Sequence, residues 1–149
     1  MENFNSYVLF LLVGIPMTGA LVVLCTPGYL KQSIRWISST FALVTLILSC
    51  YVFLGYDHGT GGFQFQRSWD WIAMPGTGQL GHTAIALRLG VDGIGAPMIL
   101  LTGIVLFTGV LVSWNISDRN KEFFTLYLLL LSGVFGVFVS LDLFFFFFF

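Results

Sequence analysis

The chain has 149 residues, 57% of them hydrophobic and 9% charged, whereas a soluble globular domain is roughly 25% charged. A mean hydropathy of +0.93 means that lipid as well as water must solvate it. Six Lys and Arg against seven Asp and Glu leave a net charge of −1 with no basic face, which excludes a nucleic-acid-binding protein.

Read in chain order, the first apolar run covers residues 6–25, long enough to cross a hydrocarbon core of about 30 Å. No Lys or Arg precedes it, and it exceeds the roughly 7–15 residues of a signal-peptide core, so it is expected to stay as an anchor. Pro16 lies near its middle and removes a backbone donor, so a kink is expected there, beside Gly14, Thr18 and Gly19. Thr26-Pro27-Gly28 then bends the chain, and after Lys31 and Arg35 a second span covers 34–56. Cys25 and Cys50, on separate spans, read as free packing thiols.

A long loop, 57–91, follows. Alternating patches at 63–67 and 82–89, with turn chemistry at 74–78 between them, predict a small β-hairpin. A third span is expected at 97–115, with Asp92 placed to cap it and Pro97 near its first turn. The charged loop from Asp118 to Glu122 leads into a fourth span at 123–141, and Asp142 marks the next membrane surface. Residues 143–149 amount to ~10 Å of helix, enough only to start a fifth. Six consecutive phenylalanines with no polar end are expected of a truncated chain rather than a complete one. The fold class predicted is an all-α membrane protein with four transmembrane helices, the start of a fifth and an outer hairpin.

Lys31 and Arg35 share a side with Arg119 and Lys121 in an even-numbered crossing pattern. The positive-inside rule makes that side cytoplasmic and puts the N-terminus and the 57–91 loop outside. Tyr7, Tyr56 and Trp71 then fall at the outer interface, and Tyr29, Trp36, Trp114 and Tyr127 at the inner one.

Every ionisable residue maps to a loop or a helix end, so no proton relay at membrane depth can be drawn from this chain alone, and no catalytic residue is assigned. His58 and His82 share the long loop with Asp57 and Asp70 but lack metal-ligand spacing, and no metal site is assigned. Gly90, Gly93 and Gly95 form GxxGxG without a βαβ setting, which argues for a turn rather than a dinucleotide site. Asp92 and Asp142 are read as helix caps, and Pro16 and Pro97 as structural. Ser132, Gly133 and Gly136, with Gly103 and Gly109, suit close helix packing.

The stretches LGVDGIGAPMILLTGI (89–104), SWNISDRNKEFF (113–124) and GVFGVFVSLDLFFFFF (133–148) resemble the subunit M family of the proton-pumping NADH:quinone oxidoreductase, respiratory complex I. That family is similar to the mitochondrial subunit four and, more distantly, to large subunits of multisubunit sodium/proton antiporters. The resemblance implies a protein of about fourteen helices, with residues 1–149 forming the N-terminal part of one polytopic antiporter-like membrane domain. It also implies that the charged pair of the pump, a helix-five glutamate and a helix-seven lysine, lies beyond Phe149. By the same resemblance the chain is a membrane-arm subunit that couples electron transfer from NADH to quinone to proton pumping in a bacterial inner membrane. Its partners would be the lipid bilayer and other membrane-arm subunits, and it would bind no cofactor, flavin and iron–sulfur clusters belonging to partner subunits. A cation/proton antiporter subunit and a non-catalytic membrane scaffold or assembly fragment are the alternatives. A small multidrug-type transporter would need an intramembrane carboxylate, which is missing here.

Overall fold

A computed structural model describes residues 2–57, 59, 61–73, 84–116 and 118–149. The helices are α1 (Glu2–Cys25), α2 (Lys31–Gly55), α3 (Gly95–Val112), α4 (Asn120–Val139) and the short α5 (Leu143–Phe148); a 3₁₀ turn, Ser113–Asn115, extends α3. Strands β1 (Gln64–Ala73) and β2 (Ala84–Val91) form an antiparallel pair between α2 and α3. Four helices, Tyr7–Cys25, Lys31–Gly55, Gly95–Asn115 and Asn120–Val139, are long and apolar enough to cross a bilayer. The chain is a multi-pass membrane protein.

The helices begin earlier than hydropathy places them, α2 at Lys31 rather than 34 and α4 at Asn120 rather than 123, and α4 ends at Val139 rather than 141. Hydropathy marks where side chains turn apolar, whereas the helical backbone bonds already hold through the polar first turn. Arg119, in the left-handed region at φ 51°, sets the start of α4. The helix α1 runs without a break through Pro16, and Pro16 is buried.

α1 packs chiefly on α4, and α2 on α3, around a core that includes Leu9, Leu12, Ile99, Leu106, Phe124, Leu128 and Phe135. On α2 the buried residues Ile34, Ser38, Ala42, Thr45, Ser49 and Val52 recur at helical spacing and make one inward face. Much of that face is hydroxyl-bearing. Thr45 donates to the Phe41 carbonyl at 2.8 Å, Ser49 to Thr45 at 2.9 Å and Thr102 of α3 to Met98 at 2.8 Å, so these groups are satisfied without water. Gly103 lets α2 come close: a Cβ there would lie 2.6 Å from the Ser49 hydroxyl.

The hairpin is longer than alternation at 63–67 foretells, because pairing continues from Arg67↔Leu89 through Trp69↔Leu87 to Ala73↔Ala84. Its register shifts between Gln64 and Arg67, where Phe65 adopts φ 57°, a conformation a bulky residue accepts only under tertiary constraint. His58, His82 and the 74–78 turn lie outside the described residues, as do the side chains of Asp70 and Trp71.

Candidate functional site

The chain leaves α4, turns at Ser140-Leu141-Asp142 and enters α5 under three constraints. Asp142 is the N-cap: its Oδ1 accepts the Phe144 amide at 2.8 Å and its own carbonyl accepts the Phe146 amide at 2.9 Å. The Ser140 hydroxyl donates to that same Asp142 carbonyl at 3.0 Å. A carboxylate here satisfies an orphan amide and sits favourably at the positive end of the helix.

The second constraint comes from the hairpin. The Leu141 amide donates to the Arg88 carbonyl at 2.8 Å, and Leu89 bridges antiparallel to Ser140, so the corner extends the sheet by one residue. Gly90 is buried at this contact, where an added Cβ would fall 2.6 Å from Leu141 Cδ1. Here the glycine of the GxxGxG stretch has its reason, which is close approach of β2 to the corner. The third constraint is α4 itself, since Gly136 opens a space filled by the Phe149 ring and the Phe149 carbonyl lies beside Gly133. Phe145 is buried, and with Phe148 it lines an apolar hollow closed by Trp69 and Leu87 of the hairpin. The direction of α5 is thus set by a cap, a strand and a helix groove together.

The hairpin is in turn pinned to α1. Arg67 donates to the Tyr7 hydroxyl at 3.1 Å with its guanidinium 4.5 Å from the Tyr7 ring centre, and Trp69 meets Phe10 edge-on at 6.4 Å. At the start of α3, Asp92 Oδ1 accepts the Gly95 amide at 2.6 Å and its carbonyl accepts Ala96 at 3.1 Å. Pro97 is the third residue of that helix, where its missing N–H leaves no bond unmade. Asp92, just after β2 and before α3, and Asp142, just after α4, therefore lie at the same end of the bundle. Pro16 lies in α1 and has no part in this corner.

Ser132 does more than fill space. It is 3% exposed, and its hydroxyl donates to the Val13 carbonyl of α1 at 2.8 Å. Nothing in the sequence marks this bond, because the carbonyl that Pro16 deprives of a donor is that of Leu12, not of Val13. At the opposite end of the bundle, Arg35 Nη2 and Asn120 Nδ2 both donate to the Ile116 carbonyl, at 3.1 and 3.0 Å, a node that hydropathy cannot reveal. Beside it the Trp36 and Trp114 rings pack edge to face with centres 5.4 Å apart.

Among the described residues no group of three or more His, Cys, Asp or Glu is placed to hold a metal ion. No charged side chain among them is fully buried in the bundle. What the α4–α5 corner does is mechanical: it fixes the direction of α5.

No protein-family model matches the chain. It is 34% identical over 140 residues to "NAD(P)H-quinone oxidoreductase chain 4, chloroplastic" of Chara vulgaris, a match covering 93% of this chain and 27% of that protein. It is 32% identical over 130 residues to "NAD(P)H-quinone oxidoreductase chain 4 2" of Microcystis aeruginosa, covering 87% of this chain and 22% of the relative. Among solved structures it matches a chain of the membrane-bound sulfane sulfur reductase, an archaeal respiratory membrane complex, with a TM-score of 0.66 over 94% of its length and 27% of that chain. At 23% identity this likeness speaks for the fold. The chain spans about a quarter of the length of the curated relatives it matches. Over nearly all of its own length, the chain is homologous to the NAD(P)H-quinone oxidoreductase chain 4 proteins.

Proposed function

We propose that this chain is part of a proton-translocating subunit in the membrane arm of an NADH:quinone oxidoreductase, and that residues 1–149 are the N-terminal part of its single antiporter-like domain. The observation that carries the reading is the 34% identity to a chain 4 protein across 93% of the chain. In this reading the chain is a framework. It brings α5 into the membrane at a set angle, and the ionisable groups that move protons lie in the continuation of the domain. NADH, flavin and iron–sulfur chemistry belong to partner subunits, and other membrane-arm subunits cover the exposed apolar faces of the bundle.

The topology follows the same reading. Lys31, Arg35, Arg119 and Lys121 gather at one end of the bundle, which we assign to the cytoplasm of a bacterial cell, with the hairpin outside. The apolar faces of α3 and α4, with Leu101, Ile104, Leu126 and Leu130 exposed, meet lipid or neighbouring subunits.

The test is gentle solubilisation of the native protein from its own membranes, followed by an intact-mass measurement and an assay of whatever migrates with it. Co-migration with NADH:quinone oxidoreductase activity, as a species several times larger than 16.6 kDa, is the expected result. A stable 16.6 kDa species without large partners would overturn the reading in favour of a membrane scaffold. Cation/proton exchange without NADH oxidation in the co-migrating species would overturn it in favour of an antiporter.

A further inference from the structure

At the basic end of the bundle, a hollow opens between the α1–α2 and α3–α4 connections, lined by Gly28, Lys31, Asp118, Arg119, Asn120, Lys121 and Glu122. Its charges are not balanced. Three cations, Lys31, Arg119 and Lys121, line it against two carboxylates, Asp118 and Glu122; Arg119 pairs with Glu122 across one helical turn, and among the described residues Lys31 and Lys121 have no ion pair. The two lysines reach the hollow from opposite connections, and the Lys121 stem lies against Gly28. Behind it stands the Arg35–Ile116–Asn120 node.

That node is incompletely satisfied. Asn120, only 3% exposed and lining the hollow, has a buried Oδ1 without a hydrogen-bond partner, and Arg35 Nε is likewise buried and unpartnered. Ser38, one turn further along α2 and fully buried, has an unpartnered hydroxyl. Buried polar atoms left unpaired each cost about 1–3 kcal/mol, and of these three residues Asn120 lines the hollow, where a polar ligand would relieve that cost.

We propose that this hollow binds the headgroup of an anionic phospholipid, its phosphate held between the Lys31 and Lys121 ammonium groups. The location supports a lipid rather than a soluble anion. The hollow sits at the ends of α1 to α4, level with the Trp36–Trp114 pair that marks a membrane interface. Exposed apolar side chains near the same ends of the helices, Leu24 of α1 and Leu126 of α4 among them, offer the acyl chains a surface. Headgroup hydroxyls, or water carried with them, can donate to Asn120 Oδ1, and zwitterionic and anionic lipids would differ in the net charge of the headgroup that meets the two lysines. The site joins the connections on either side of the bundle and so ties α1–α2 to α3–α4 when occupied.

The experiment uses the full-length protein in its native complex, exchanged into nanodiscs of phosphatidylcholine doped with phosphatidylglycerol, stripped with detergent, and read by native mass spectrometry for retained lipid. Phosphatidylglycerol should be retained over phosphatidylcholine, and the Lys31→Gln/Lys121→Gln double variant should lose that retention by roughly tenfold or more, since each basic residue near an anionic surface contributes comparably. The Lys31→Arg/Lys121→Arg variant should keep it, which separates loss of charge from failure to fold. Equal retention of both lipids, or full retention in the Gln variant, overturns the proposal. Thermal protection by inorganic phosphate in pure phosphatidylcholine discs, equal to that by phosphatidylglycerol and lost with the lysines, would overturn the lipid as the source of the phosphate.

Discussion

The Ser132 hydroxyl of α4 donates a 2.8 Å hydrogen bond to the Val13 carbonyl of α1, three residues before Pro16. Proline at 16 takes away the donor for the carbonyl of Leu12, not of Val13, so the serine bond is an addition to the helix rather than a repair of it. Buried between two helices, the hydroxyl finds in the Val13 carbonyl an acceptor that lipid could not offer. It also joins the two helices of the largest interface in the bundle.

Ser132→Ala should therefore destabilise the protein by about 0.5–1.5 kcal/mol, the range measured for hydrogen bonds between membrane helices. Denaturation of the detergent-solubilised protein, followed by circular dichroism, reads the effect. A stability unchanged by the substitution would refute the contribution of this bond.

Tyr127 of α4 reaches α3 in a second interhelical contact, donating from its hydroxyl to the Val105 carbonyl at 2.8 Å while its ring fills the space above Gly109. Gly109→Ala puts a methyl group where the Tyr127 hydroxyl and ring carbon lie, so it should cost more than Tyr127→Phe, roughly 1–3 kcal/mol as an overpacked contact. Tyr127→Ala should suppress most of the Gly109→Ala penalty. Thermal midpoints of the three variants decide this, and an equal Gly109→Ala effect with and without the tyrosine would refute the contact.

Asp142→Ala removes the acceptor for the Phe144 amide and should cost about 1 kcal/mol in the local stability of α5. Hydrogen exchange at Phe144 and Phe146 should quicken several-fold while α2 stays protected. Asp142→Asn, which keeps an N-cap acceptor, should retain most of the protection; equal loss in both variants would mean that charge and not capping governs the corner.

Arg67→Gln should release β1 from the N-terminal part of α1 by removing both the hydrogen bond to Tyr7 and the cation over its ring. The expected cost is about 0.5–1 kcal/mol, as for an exposed cation–π pair. Exchange at the β1 amides is the readout, and an unchanged rate would show that the Trp69–Phe10 contact and the β2–Leu141 bond suffice to seat the hairpin.

Length and apolarity were enough to locate four spans, and alternation enough to locate a hairpin, because both depend on local spacing that lipid or a sheet enforces directly. The amide that Asp142 accepts as N-cap of α5 is local in the same way, two residues away; at the start of α3 the N-cap is Ile94, without a side-chain bond, and Asp92 reaches the Gly95 amide from outside the cap position. Glycine positions were legible as packing but not as contacts. Nothing in the order of residues says that Gly90 faces Leu141, Gly109 faces Tyr127 or Gly136 faces Phe149. Such pairings depend on which helix lies beside which. Helices apolar on every side carry little signal of that choice, so the buried face of α2, with Ser38, Thr45 and Ser49 on it, emerges only from the assembled bundle. The sequence by itself determined that the chain crosses the membrane, where it turns and where its charges lie. The tertiary structure alone decided that Ser132 bonds to the Val13 carbonyl, that β2 holds the entry to α5 and that Arg35 and Asn120 share one carbonyl, because hydrogen bonds between distant segments form only once packing has chosen their neighbours.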